Sequence, residues 1–146
     1  MGTQAHIYFI TAESYSSVLR GDIDGFSAGC EGIMADLDKA WHAIHYLITG
    51  NTDDCLLSGG VQIPDVSEQF EAYSPEAIRL LYEQLSTTTL QQLMRKFDPE
   101  LFNAKDIYPS GWDDSRRDYV EENLERFITT IRQAANAGKG IAVLLA

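Results

Sequence analysis

The sequence predicts an α+β fold: one compact domain, with several helices packed on a small mixed sheet that includes the N- and C-terminal strands. Three observations predict it. "HIYFIT" (His6–Thr11) is rich in β-branched and aromatic residues, as a buried strand is. "GIAVLLA" (Gly140–Ala146) is apolar throughout, as a strand covered on both faces is. Between them, apolar residues recur at helical spacing. The 146 residues suit a single domain, and 45% of them are hydrophobic, enough for one core without disulfides or a metal. No repeat and no linker interrupts residues 1–146, so they are read as one domain.

The elements follow in order. Thr11 can cap a short helix through Leu19, because its hydroxyl accepts a free N–H of the first turn. Arg20–Gly29, with three glycines and two aspartates, reads as a loop. Asp36–Gly50, "DLDKAWHAIHYLITG", reads as one helix. Asp36 is its N-cap, Asp38 lies in the first turn, and Gly50 is the left-handed stop. Asn51–Asp65 reads as loop, most flexible at Ser58–Gly60. Tyr73–Leu85 is a helix with Ser74 as cap and Pro75 in the first turn. Thr87–Phe97 repeats the helical spacing, and Asp98–Leu101 starts another short helix. The chain cannot be helical through Tyr108, which precedes Pro109. The last helix runs from about Asp114 to Ala137. Its buried stripe is Val120, Leu124, Phe127, Ile128, Ile131 and Ala135, and Gly138 ends it.

The formal net charge is −11, from 11 basic and 22 acidic residues. This argues against nucleic acid and anionic membrane surfaces, both of which call for Lys and Arg. It suits a basic protein partner, which an acidic surface attracts by its field, and it also serves plain solubility. No apolar run approaches a membrane span, and residues 1–12 lack a signal-peptide pattern. Cys30 and Cys55 form no C-x-x-C motif. Two free thiols in a reducing cytoplasm are expected.

On a helical wheel of Asp36–Gly50, Leu37, Trp41, Ile44 and Ile48 share one face, and Asp38, His42 and His45 a neighbouring one. Two histidines one turn apart can bind a metal with a third ligand. Here they are three apart rather than four, with no glutamate beside the first. No metal and no cofactor is therefore expected. The reading preferred for His45 is a core histidine whose ring nitrogens are satisfied, with His42 near the surface and free to pair with Asp38. Trp41, Tyr46, Tyr73, Tyr108 and Trp112 gather at helix starts and loops, where aromatics close a core or line a pocket. "SGG" (Ser58–Gly60) is no phosphate loop, because no Lys and Ser/Thr pair follows it. There is no G-x-S-x-G, and nothing marks a base for Cys30.

Taken in order, Leu37–Gly50, Ser58–Gly60, Tyr73–Leu85, Asp106–Trp112 and Ala135–Ala146 resemble the YfbM-like family of bacterial proteins, described as a domain of unknown function. The most specific parts are the D-K-x-W-x-x-x-H stretch (Asp38, Lys39, Trp41, His45) and I-Y-P (Ile107, Tyr108, Pro109). The resemblance implies a compact α+β domain in a bacterial cytoplasm. It brings no activity, cofactor or catalytic residue, and it singles out Trp41, His45 and Tyr108. The leading expectation is a non-enzymatic binding module, for example an immunity- or inhibitor-type protein for a basic partner. The alternative is a small-molecule or enzyme pocket around His45, walled by Trp41, Tyr46, Tyr108 and Trp112, with Asp38 or His42 as polar contacts. Whether the chain is an enzyme, and its oligomeric state, stay open.

Overall fold

The structure is a computed structural model that describes residues 2–146. Its frame is a five-stranded sheet in the order β2–β1–β5–β4–β3. The strands are β1 (Ala5–Ile10), β2 (Cys30–Asp38), β3 (Val61–Gln62), β4 (Gln69–Tyr73) and β5 (Gly140–Leu145). The helices are α1 (Ala12–Leu19), α2 (Ile23–Ala28), α3 (Trp41–Thr49), α4 (Pro75–Leu85), α5 (Leu90–Met94), α6 (Pro99–Ala104) and α7 (Arg117–Asn136). A 3-10 turn, Asp114–Arg116, leads into α7.

The terminal strands are both in the sheet, as the α+β reading requires. Every pairing is antiparallel, so the sheet is not mixed. The reason lies in the pairing of the two chain ends: β1 runs beside β5 from Ala5↔Leu145 to Ile10↔Gly140. Alternate residues then serve two cores. Ile7 and Phe9 of β1, with Ile141 and Val143 of β5, join the large cluster under α3, α4 and α7. Ile10 and Ala142 join a smaller cluster with Val18 of α1 and Phe26 of α2.

Several local expectations are met. Thr11 accepts from the Ser14 N–H, and Ser74 from the Ala77 N–H with Pro75 behind it. Gly50 ends α3 at φ +75°. Others are corrected. Arg20–Gly29 contains α2, capped by the Asp22 carboxylate, which accepts from the Gly25 N–H. Asp36 caps no helix, because Asp36–Asp38 are the end of β2. The α3 helix starts only at Trp41, without a side-chain cap. The β2 strand carries no clear strand pattern in the sequence, because it pairs with β1 through three register shifts that break the alternation. The segment after Thr87 is helical only over Leu90–Met94, behind a Thr89–Gln92 capping box.

Candidate functional site

The α3 helix brings three of the expected residues into one stack. The Trp41 ring lies 5.2 Å from that of His42 and 5.4 Å from that of Tyr108, at 22° and 28°. Each polar atom of the stack is engaged within the chain. Trp41 Nε1–H donates to the Thr3 carbonyl at 3.0 Å. The Tyr108 hydroxyl accepts the Thr3 N–H at 2.6 Å. The Tyr108 N–H donates to His42 Nδ1 at 2.8 Å, and His42 Nε2 lies 2.9 Å from the Thr52 carbonyl. Because Nδ1 accepts, it carries no proton, so Nε2 carries one and donates to Thr52. His42 is therefore a buried neutral ring that ties two loops to α3. It is neither near the surface nor paired with Asp38, as the sequence reading had it.

His45 is fully enclosed. Nδ1 lies 3.1 Å from the Leu56 carbonyl and, facing an acceptor, is the protonated nitrogen. Nε2 faces Cys55 Sγ at 3.9 Å and Asp53 Oδ2 at 3.7 Å. Burial, and then the charges of Asp53 and Glu71, push the Cys55 thiol above its usual range. It therefore stays protonated and can donate to Nε2. No group of three or more His, Cys, Asp or Glu side chains among the described residues is arranged to hold a metal ion.

Asp38 lies outside α3, so the Asp–His–His stripe of the helical wheel does not form. At φ +50° it closes β2 in the left-handed region, which a non-glycine residue seldom occupies. Its Oδ2 accepts the Tyr119 hydroxyl at 2.8 Å, and that hydroxyl accepts the Lys39 N–H at 3.0 Å. Burial, then the bond to Asp38, pushes Tyr119 up to about 12. Trp112 is a core residue. It donates to the Ile107 carbonyl at 2.8 Å and packs edge-on against Phe97 and Phe102. Between Tyr108 and Trp112 the chain passes a cis Pro109, then Ser110 at φ +110° and Gly111 at φ +67°.

Beside the stack opens a cleft of ≈ 420 Å³, lined by Asp38, Lys39, Pro109, Arg116 and Tyr119. Arg116 lies 5.4 Å over the Trp112 ring and donates to the Ser110 carbonyl at 2.9 Å. No acidic partner meets Lys39 or Arg116 in the ion pairs of the described residues. Asp38 is thus at the cleft, whereas Trp41, His42 and Tyr108 are not among its lining residues. His45 lines none of the five clefts described and faces the 53–56 segment instead. Sequence reasoning missed Arg116 and Tyr119 as wall residues. Tyr119 is 81 residues from Asp38, and no local pattern carries that distance.

Residues 7–144 match the family model described as "Domain of unknown function (DUF1877)". Among solved structures, the chain is similar to YfbM from Escherichia coli, itself described as a protein of unknown function. The TM-score is 0.68 at 16% identity, over 98% of this chain and 99% of that one. None of the curated proteins matches. The fold is thus shared with YfbM, and the family match covers nearly the whole sequence: the chain belongs to the YfbM-like family, DUF1877.

Proposed function

We propose that this protein is a non-enzymatic binding module for a basic protein partner in a bacterial cytoplasm. An immunity- or inhibitor-type role is one form this would take. The observation that carries the reading is the excess of 22 acidic over 11 basic residues on a fold in which His42, His45, Trp41 and Trp112 are buried and committed to internal bonds. The α3 imidazoles are thereby turned inward; His6, half-buried, has only Asp36 nearby, at 3.9 Å. An acidic field raises the rate at which a basic partner docks and the selectivity for it. The free thiols Cys30 and Cys55 accord with a reducing compartment. Among the described residues, no helix is long and apolar enough to cross a membrane.

The test is capture from bacterial lysate on the immobilised protein at about 50 mM and about 500 mM salt, conditions that bracket strong and weak screening. Basic proteins are expected to bind at low salt and to elute at high salt. Retention of nothing that salt releases would refute electrostatic capture. A second reading is favoured by the cleft of ≈ 420 Å³: a small ligand seated between Lys39 and Arg116. In that case Asp38 and Tyr119 would be its polar contacts, and His45 would take no part.

A further inference from the structure

The β2 strand is an edge strand, and its outer side is bare. Among the described residues, the backbones of Gly32, Ile33 and Met34 make no hydrogen bond beyond the pairing with β1. Ile33 and Met34 are 57% and 45% exposed, an uncommon state for large apolar side chains on a sheet edge. Helix α7 runs alongside. Between them lie two hollows of ≈ 480 and ≈ 580 Å³, which share Met34, Glu122 and Arg126. The second also shares Asp38 and Tyr119 with the Lys39–Arg116 cleft, so the three form one groove.

The groove has a defined charge. Asp36, Asp38, Glu122 and Glu125 line its hollows, and the one cation there, Arg126, is 3.7 Å from Glu122. Only the far end is positive, at Lys39 and Arg116. From Tyr119 to Gln133, α7 is about 21 Å long at 1.5 Å per residue. An extended chain covers that length with about six residues.

We propose that this groove binds an extended, basic segment of a partner protein as an added strand on β2, with α7 as the opposite wall. The proposal rests on the binding-module reading and supplies its surface. A free edge offers main-chain hydrogen bonds to an extended chain, and a flanking helix offers side-chain selection. Charge chooses the occupant. A second copy of the chain, itself at −11, would set acid against acid, whereas Arg or Lys side chains would meet Asp36, Glu122 and Glu125. Lys39 and Arg116 close the groove and limit the basic stretch to the part beside those acids.

The probe is a synthetic octapeptide of alternating arginine and valine, added at low salt while backbone amide shifts and affinity are measured. Two control peptides accompany it. One has alternate peptide nitrogens methylated, and the other has glutamate for arginine. The expected result is that shifts cluster on Gly32–Asp36 and on Tyr119–Glu125. Methylation should weaken binding by about tenfold or more, since it removes the strand hydrogen bonds. The glutamate peptide should not bind. Joint replacement Glu122→Gln and Glu125→Gln, both exposed, should weaken binding several-fold without altering the fold. Equal binding of the methylated peptide, shifts elsewhere, or no binding would each overturn the groove. If lysate capture still succeeds, the module reading stands with a different surface; if both fail, both are wrong.

Discussion

His42 shows what a buried imidazole can do when both nitrogens are used. It accepts from Tyr108 and donates to Thr52, so one ring fixes the 52 and 108 loops against α3. Replacing it with alanine empties a buried ring position and takes the partner from the N–H of half-buried Tyr108 and from the carbonyl of exposed Thr52. A hydrogen bond contributes about 1 kcal/mol net, so His42→Ala should lose about 2 kcal/mol in urea unfolding. His42→Asn, whose side-chain oxygen can stand near the Nδ1 position, should recover part of this loss. Equal stability of the alanine variant and the parent would show that the two bonds do not hold the loops. Tyr119 makes a prediction of pH. Its folded value, about 12, is above the ordinary 10 of an unfolded tyrosine. A raised value means the folded state holds the proton more tightly. The stability it contributes is therefore intact below pH 10 and is lost as pH rises towards 12. Tyr119→Phe should flatten that part of the stability–pH curve relative to the parent. An unchanged alkaline slope would contradict the assignment.

At the scale of elements, the sheet depends on how closely β5 approaches the turn after β4. A Cβ placed on Gly140 would lie 2.2 Å from the Tyr73 carbonyl oxygen, a backbone atom that cannot step aside alone. Gly140→Ala should therefore push β5 away from the β4–α4 junction and cost about 3 kcal/mol, the upper end of overpacking. Thermal unfolding would read this directly. Glycine at position 50 answers a different need, a left-handed stop for α3. The starts of α1, α4 and α6 were legible in the sequence because the signals are local, whereas α2 and the start of α3 were not. A hydroxyl or carboxylate reaches an N–H three residues on, as in Thr11, Ser74 and Asp98, and a proline follows where the first turn has a spare position. Strand β2 was not legible. Its bulges and exposed first half spoil the alternation, and its pairing with β1 joins residues from 20 to 33 positions apart.

Over the whole molecule, the two faces of the sheet are unequal. One carries the large core under α3, α4 and α7. The other carries the small cluster under α1 and α2. The two terminal strands lie side by side in the middle of the sheet, and β2 and β3 are left as edges. The salt-graded capture belongs to this scale, since a net charge of −11 acts as a field before any single contact forms.

By itself the sequence determined the α+β class, the terminal strands, several helix starts and stops, the net charge of −11 and the family. These follow from composition and from contacts within a few residues. Only the tertiary structure decided that His42 is buried, that Asp38 belongs to a strand, and that Tyr119 and Arg116 wall a cleft beside the Trp41 stack. It also decided that β2 presents a bare edge to α7. The bonds responsible span long stretches of chain, 66 residues from His42 to Tyr108 and 81 from Asp38 to Tyr119. No periodicity or cap reports a contact of that length, because it forms only when the sheet and the helices have closed on a common core.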